Sequence, residues 1–290
     1  MRYVDREGCE IIKDDSQDKA LAFLYQTRIG RGLLAVLVKP WISSAAGRFL
    51  DSSASRWLIG PFMKKSGIDL SEYEMEDYRS FNEFFTRKIK PECRKTDKEE
   101  AHLIAPCDSK LSVYTISQGA RFVIKDTEYS MESLLRNRKL ARHYEGGQLL
   151  VFRLAVDDYH RYCYVDDGLK SKNYRIPGIF HTVNPLANDV FPIYKENTRE
   201  FSVLKSKNFG RILMMEVGAL LVGRIVNYHE RQEVKRGEEK GRFEFGGSTV
   251  ILCLEKDRAV IDEDILLNSF RGSETAVKIG EKIGTCGGQK

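Results

Sequence analysis

The sequence predicts an α+β protein in which a helical N-terminal region, residues 1–100, precedes a β-rich body, residues 101–290. Between residues 17 and 66 the apolar residues recur at helical spacing and are interrupted by single glycines and prolines, which is typical of short helices. From Leu103 onward the apolar residues form short runs separated by Gly, Asn and Asp, which is typical of strands and turns. The chain has 290 residues, 42% of them hydrophobic, and can therefore bury a sizeable core.

The helical region is predicted from two stretches. Ala20, Phe23, Leu24 and Thr27 lie on one side of a first helix, and glycines and prolines divide the chain that follows. Aromatic residues between positions 73 and 88 also follow a helical period, which predicts a further helix ending before residue 91, a proline.

The body is predicted from short apolar runs with β character. These runs are residues 110–116, 148–154, 212–217, 220–226 and 249–255. Residues 131–140 predict a helix between strands.

Positive charge is concentrated in the helical region. Residues 21–65 contain seven Lys or Arg and a single acidic residue, Asp51, while the whole chain carries only +5. The same window holds Trp41, Trp57 and three phenylalanines. Basic side chains interleaved with large apolar ones suit the boundary between headgroups and acyl chains of an anionic membrane. The alternative is a helical subdomain whose aromatic residues are simply its core.

The sequence therefore predicts a membrane-apposed helical region. No apolar run reaches the ~18 residues that a membrane span needs. The first residues lack the pattern of a secretory signal. We expect a peripheral protein on the cytoplasmic face of the cell membrane, and no nucleic-acid partner, because no binding motif accompanies the charge.

The six cysteines form no C-x-x-C pair and no zinc-ligand spacing. Free, partly buried thiols are expected, with neither a disulfide framework nor a metal site.

The GGST tetrapeptide at residues 246–249 leads into an apolar strand. Its ordinary explanation is a tight turn that only glycine fits. A strained Gly247–Ser248 bond would, however, let the Ser248 hydroxyl approach the preceding carbonyl.

Asp108, His160 and Ser248 lie beside predicted strands, and triads are defined by geometry rather than by chain order. Spacing alone is poor evidence for a triad in a chain of this length. The G-x-S-x-G elbow of many serine hydrolases is absent, which argues against that class.

Several segments, taken in order, resemble the pyruvoyl-dependent phosphatidylserine decarboxylase family. They are SFNEFFTRK at residues 80–88, APCDSK at 105–110, RL at 153–154, DYHR at 158–161, GIFHTVNP at 178–185, EVGA at 216–219, VG at 222–223 and GGST at 246–249. The family's processing motif is commonly LGST. Each segment is weak alone, but their joint specificity from residue 81 to residue 283 is high.

The resemblance implies a self-processing proenzyme. Ser248 would attack the carbonyl of Gly247, and the resulting ester would eliminate, leaving dehydroalanine that hydrolyses to a pyruvoyl group and ammonia. The products would be a large chain, residues 1–247, and a small chain, residues 248–290. Serine needs a neighbouring base for this step, and the oxyanion needs hydrogen-bond donors.

In the mature enzyme, the resemblance implies, the covalent pyruvoyl group forms a Schiff base with the amine of phosphatidylserine. It withdraws electrons as carbon dioxide leaves, the part that pyridoxal phosphate plays elsewhere. The product is phosphatidylethanolamine, so the protein would act in phospholipid biosynthesis. The partners implied are phosphatidylserine in the membrane and the two chains of one precursor, with a homo-oligomer left open.

The sequence departs from the family at one position. Many members read Tyr-His-Arg-x-His, and the second histidine is the usual base for self-cleavage, but here Cys163 stands in its place. Asp108 matches the family's relay acid and His160 matches its first histidine. The base is then His160, His181 or Cys163, although burial would raise the pKa of the cysteine and weaken it. For His181 an ordinary structural role is the stronger expectation.

Two other functions remain open from the sequence. One is a membrane-associated relative that is never processed, because the usual base is missing. The other is a conventional serine hydrolase.

Overall fold

The computed structural model describes residues 2–12, 22–75, 77–124, 127–182, 193–219, 224–244 and 248–288. A helical turn at residues 22–26 precedes the first of the helices discussed here. These are α1 Arg28–Leu37, α2 Pro40–Asp51, α3 Ile59–Ser66, α4 Phe81–Phe85, α5 Met131–Leu135, α6 Arg138–Ala141, α7 Ile193–Glu196 and α8 Glu263–Phe270. Short 3₁₀ turns lie at Ser53–Leu58, Leu70–Glu72, Pro91–Cys93 and Arg142–Tyr144.

The strands begin at the second residue of the chain. They are β1 Arg2–Val4, β2 Glu10–Ile12, β3 His102–Ile104, β4 Ser109–Thr115, β5 Arg121–Ile124, β6 Thr127–Ser130, β7 Gln148–Leu154, β8 Arg161–Cys163, β9 Gly168–Lys170, β10 Tyr174–Ile176, β11 Arg199–Ser206, β12 Arg211–Val217, β13 Ile225–Asn227, β14 Gln232–Val234, β15 Glu239–Phe243, β16 Ser248–Leu254, β17 Ala259–Ile261, β18 Thr275–Val277 and β19 Lys282–Cys286.

The helical prediction for the N-terminal region is confirmed over residues 22–66, and residues 17–21 lie outside the described residues. Local sequence sets the helix ends. Thr27 caps α1 by accepting a hydrogen bond from the backbone of Gly30. Gly67 ends α3 in the left-handed conformation, with φ 67°, which a residue with a side chain would adopt only at a cost.

An eleven-stranded sheet forms the body, in the order β14-β9-β11-β12-β16-β7-β4-β18-β1-β2, with β10 paired to β11. Its neighbours are antiparallel except β1 and β18, which are parallel. Smaller sheets of order β13-β15-β8 and β17-β19-β3 and the hairpin β5-β6 complete the fold. The structure is therefore mixed helix and strand with a large sheet-rich body, as the α+β prediction requires.

Strand β16 lies near the middle of the large sheet, and all seven of its residues are buried. Its two faces pack into different cores because successive side chains point to opposite sides of a strand. Ile251 and Cys253 join one core, while Val250, Leu252 and Leu254 join the other.

Four predicted strands occur within one residue of their expected bounds: β4, β7, β12 and β16. Of the run 220–226, residues 220–223 lie outside the described residues, and β13 begins at Ile225. The helix predicted over 131–140 occurs as two short helices, α5 and α6.

The single helix predicted between residues 73 and 88 is wrong, since only Phe81–Phe85 is helical. Tyr73 instead pairs with Ile89 as an isolated bridge, and Ser80 caps the short helix. Tyr78 shares one apolar cluster with Phe81, Phe84 and Phe85. The spacing of the aromatic residues therefore arises because side chains from a helix and from the extended segment before it pack into the same core. The strands β1 and β2, which join the body sheet, were not predicted.

In the described parts of the chain, no single helix has the length and apolarity of a membrane span. Arg28–Leu37 and Trp41–Asp51 meet those criteria only as a pair, and they are bent by 68°.

Candidate active site

Ser248 is the first residue of β16 and lies where the strand enters the large sheet. It pairs with Leu154 on β7, and the next residue, Thr249, pairs with Val217 on β12. The Ser248 hydroxyl is buried and has no hydrogen-bond partner among the described residues. Gly247, on the other side of the predicted cleavage bond, lies outside the described residues.

His160 reaches the same edge of the sheet from two directions. Five residues separate it from Leu154, the partner of Ser248. Its backbone carbonyl accepts a hydrogen bond from Phe243, and only four residues separate Phe243 from Ser248. Short connections on both sides thus keep the predicted histidine and the predicted nucleophile in one region.

The imidazole of His160 has one defined tautomer. Its Nδ1 lies 2.9 Å from the backbone carbonyl of Asp158, and a carbonyl can only accept, so Nδ1 carries the proton. Burial lowers the pKa of His160 to about 3, and the positive charge of Arg87 acts in the same direction. Its Nε2 is buried, and no residue in the described ranges hydrogen-bonds to it. His160 is therefore a neutral base with a free lone pair at physiological pH.

Asp158 and Lys110 hold this histidine in place. Both carboxylate oxygens of Asp158 lie 2.7 Å from the Lys110 ammonium, and one also accepts from the backbone N–H of Ala155 at 2.7 Å. The Phe85 ring packs against the imidazole, with centroids 4.2 Å apart. In the sequence, Asp158 and Lys110 stand out only as parts of the matched motifs. Their pairing could not be read from the sequence, because 47 residues lie between them.

Asp108 is buried, but the structure does not join it to His160 by a hydrogen bond. Its carboxylate accepts from Arg94, with Nη2 at 2.9 Å and Nε at 3.1 Å, and from the backbone of Ile279 at 2.8 Å. The Lys278 ammonium is 3.4 Å away. Arg94 and Lys278 were not foreseen as its partners. The role of relay acid remains a prediction.

Cys163 lies at the end of β8 and is almost wholly buried. Its thiol donates a long hydrogen bond to the carbonyl of Ala105, at 3.9 Å. Burial raises the pKa of the thiol to about 12, in the direction expected from the sequence. At neutral pH it is a thiol, so Cys163 is a poor candidate for the missing base.

His181 is brought near the same edge, but its ring is already engaged. Nδ1 lies 3.2 Å from the Tyr25 hydroxyl, and Nε2 lies 3.5 Å from the Glu196 carboxylate. Burial lowers the pKa of His181 to about 4. The Asn197 side chain donates to the carbonyls of His181 and Gly218, each at 2.8 Å, and so joins this segment to the end of β12. These contacts favour the structural role over that of base.

No three His, Cys, Asp or Glu side chains of the described ranges come together as metal ligands. The chemistry available at this edge is that of a buried hydroxyl and a buried neutral imidazole.

Comparison with known proteins gives a consistent result. The profile of the phosphatidylserine decarboxylase family matches residues 81–285. The phosphatidylserine decarboxylase proenzyme 2 of Clostridium acetobutylicum is 47% identical over 265 residues, which cover 91% of each chain. The proenzyme of Clostridium tetani is 42% identical over 278 residues, 94% of each chain. That of Fusobacterium nucleatum is 39% identical over 291 residues, 98% of this chain and 97% of its own.

The matched range contains Asp108, His160 and Ser248, and the similar proteins align with this chain over nearly their whole length. The chain belongs to the phosphatidylserine decarboxylase family.

Proposed function

We propose that this chain is a phosphatidylserine decarboxylase proenzyme that cleaves itself between Gly247 and Ser248 and thereby forms a pyruvoyl group at residue 248. The observation that carries the proposal is the pair of unpartnered buried atoms, Ser248 Oγ and His160 Nε2. Buried polar atoms are nearly always hydrogen-bonded, so two that are not, in one region, need an explanation. A nucleophile and the general base that takes its proton provide one.

The first step follows from the state of His160. Its Nε2 lone pair takes the proton of the Ser248 hydroxyl, while the Asp158 carbonyl holds Nδ1–H and fixes the ring. The Ser248 oxygen bonds to the carbonyl carbon of Gly247. The imidazolium then returns the proton to the departing nitrogen of residue 248, and the amide becomes an ester.

The residues around Ser248 fit the group that this chemistry would leave. The hydroxyl is buried at the edge of an apolar core, where bulk water is excluded. A pyruvoyl group there would supply an electron-withdrawing carbonyl for the amine of phosphatidylserine. His160, held neutral by burial, can accept or return a proton beside it.

The Asp108–Arg94 ion pair, with its hydrogen bond to Ile279, ties β4 to the segment before β19. We propose that Asp108 acts by fixing this segment rather than by contacting His160. In this scheme Asp108 is a positioning residue.

We further propose that the helical region lies on the cytoplasmic face of the cell membrane. Ile29, Trp41 and Trp57 are among its most exposed apolar side chains, at 75%, 63% and 68% exposure. Exposing such side chains to water is unfavourable, and they occur among lysines and arginines that anionic lipids attract. Phe85 shares an apolar cluster with side chains of α2 and α3, and its ring also packs against that of His160. Phosphatidylserine, an anionic lipid, would thus meet the protein beside its active site.

The test is the intact mass of the purified protein. We expect two chains, 1–247 and 248–290, with the small chain blocked by pyruvoyl, together with release of carbon dioxide from phosphatidylserine vesicles. An active preparation containing only the uncleaved chain would overturn the proposal. An inactive uncleaved chain would favour the non-catalytic relative, and labelling of Ser248 by a fluorophosphonate would favour the serine hydrolase.

A further inference from the structure

A buried carboxylate, that of Glu216, lies on the strand next to that of Ser248. The Glu216 carboxylate on β12 pairs with the Lys240 ammonium on β15 at 2.8 Å, and both side chains are wholly buried. Asn227 donates to the same carboxylate oxygen, Oε2, at 3.1 Å. The other oxygen, Oε1, is buried and accepts no hydrogen bond from the part of the chain that the structure describes. One edge of this carboxylate is thus held firmly while the other has no partner.

The strand register places this carboxylate beside Ser248. Glu216 pairs directly with Val250, so their side chains share one face of the sheet. Val250 and Ser248 are two residues apart on β16 and also share a face. Glu216 and Ser248 are therefore diagonal neighbours, which lie about 7–8 Å apart in an antiparallel pair, within reach of a long side chain.

Glu216 and His160 are connected to residue 248 through different neighbours of β16. Glu216 belongs to β12, one neighbour of β16, whereas His160 follows β7, the other neighbour. His160 thus approaches from the β7 side for the proton of the serine hydroxyl, and a group on β12 can meet another part of the same residue.

The surroundings of Glu216 also suit a base. Burial raises the pKa of its carboxyl, because the loss of hydration outweighs the attraction of Lys240 and the hydrogen bonds that it receives. A carboxylate with a raised pKa binds a proton more strongly than an exposed one. The Lys240 ammonium, 2.8 Å from Oε2, favours the ionised form, which is the form that accepts a proton.

We propose that Glu216 is the base that removes the Cα proton of residue 248 in the step that opens the ester. Glu216 Oε1 takes the proton, the C–H electrons form the Cα–Cβ double bond, and the bond between Cβ and the serine oxygen breaks. Gly247 leaves as a carboxylate. The protonated Glu216 then returns its proton to Cβ, which converts the enamine to an iminium ion, and a water molecule hydrolyses this ion to the ketone and ammonium. No oxidant or reductant is needed.

This inference rests on the proposed self-cleavage, and the ester allows the two to be tested separately. Hydroxylamine cleaves esters but leaves amides intact, so it splits a precursor that has stopped after ester formation. Cleavage by hydroxylamine produces a small chain that begins with an unmodified Ser248 amine, whereas complete processing produces one blocked by pyruvoyl. Intact mass distinguishes the two without any measurement of decarboxylation.

We expect Glu216→Gln to accumulate the hydroxylamine-sensitive ester and to separate its chains at least about a hundredfold more slowly than the unsubstituted protein, the usual size of a lost general base. Glu200→Gln is the matched control. Glu200 lies opposite Glu216 on β11 and binds the same Asn227 side chain, but it does not pair with β16. This control should be processed normally.

Removing one partner of a buried ion pair can prevent folding, so the double variant Glu216→Gln/Lys240→Met is measured as well. It leaves no unpaired charge and should also stop at the ester. Normal pyruvoyl formation in either Glu216 variant overturns the inference. So does a folded double variant that stays intact and resists hydroxylamine, since Glu216 would then act before the ester. An unsubstituted protein without a pyruvoyl-blocked chain would overturn the proposed self-cleavage itself.

Discussion

The helical region and the sheet-rich body place their side chains in opposite ways. Trp41 and Trp57 extend into solvent from the helical region, although indole rings are usually well buried. In the body, Glu216 and Lys240 are wholly enclosed as an ion pair, although lysine and glutamate side chains are mostly exposed. Each region breaks the usual rule of burial in its own direction.

This difference teaches where each region meets its ligand. Exposed apolar side chains gain free energy when another apolar phase covers them, and in the proposed function the membrane surface would cover those of the helical region. Buried polar groups without partners gain only when a reaction or a substrate supplies what they lack, so the body is built for chemistry inside it. Phe85 connects the two regions, because it packs in the apolar cluster with Phe81 and Phe84 and its ring contacts that of His160.

The largest expected effect is at Ser248. Ser248→Ala removes the nucleophile, so the chain should remain whole and inactive, as a denaturing gel and intact mass would show. Ser202→Ala is the matched control, because it removes another buried hydroxyl without a partner, on β11. If Ser202→Ala also blocked cleavage, the loss in Ser248→Ala would reflect a general need for buried hydroxyls rather than the loss of a nucleophile.

The next effect is at His160. His160→Gln should slow self-cleavage by about a hundredfold to ten-thousandfold, since the general base is lost while a polar side chain of similar reach remains. The time course of cleavage on a denaturing gel measures the rate. Cys163→Ala should retain cleavage, because the pKa of that thiol is about 12 and it is not a base at neutral pH. A folded Cys163→Ala protein that fails to cleave itself would show that the cysteine is the base.

A smaller effect is expected at the helical surface. The double variant Trp41→Ser/Trp57→Ser should weaken binding to phosphatidylserine-containing vesicles by about tenfold or more, since partial burial of two indoles is worth more than about 1.4 kcal/mol. Vesicle sedimentation measures the binding, and self-cleavage should be unchanged. Phe270→Ser is the control, because Phe270 is 91% exposed but belongs to α8 of the body. Equal losses in both proteins would remove the distinction between the regions.

The last expected effect is on the free energy of unfolding as the pH changes. The pKa of His160 is about 3 in the folded protein and near 6.5 when exposed, so between these values the unfolded chain binds more protons. Its contribution to stability is complete above pH 6.5 and decreases as the pH falls towards 3, by up to about 1.4 kcal/mol per pH unit. Urea unfolding at pH 5.0 and 7.5 should give a smaller loss for His160→Gln than for the unsubstituted chain. Identical losses would place the titrating group elsewhere.

Strand positions were largely predictable, because Leu149–Leu154 and Val250–Leu254 are apolar runs of strand length between turns, and length and turn residues are local signals. The prediction of one helix between residues 73 and 88 was wrong. The aromatic side chains there fill a core that residues far away in the chain help to form, and the sequence does not show that core. The strands β1 and β2 were missed because three residues carry too little pattern, and only the pairing of Val4 with Thr275 shows where β1 belongs.

The sequence by itself determined the α+β class, the basic and aromatic character of residues 21–65, and Asp108, His160 and Ser248 as candidate site residues, because composition, short periodic runs and motifs are local properties. Only the tertiary structure decided which hydrogen bonds those residues make. In the fold, Asp108 pairs with Arg94, and the Nδ1–H of His160 donates to the Asp158 carbonyl. The strand register makes Glu216 a diagonal neighbour of Ser248. Hydrogen bonds and burial depend on groups that only folding brings together, so pairings across tens of residues and the pKa shifts that follow cannot be read along the chain.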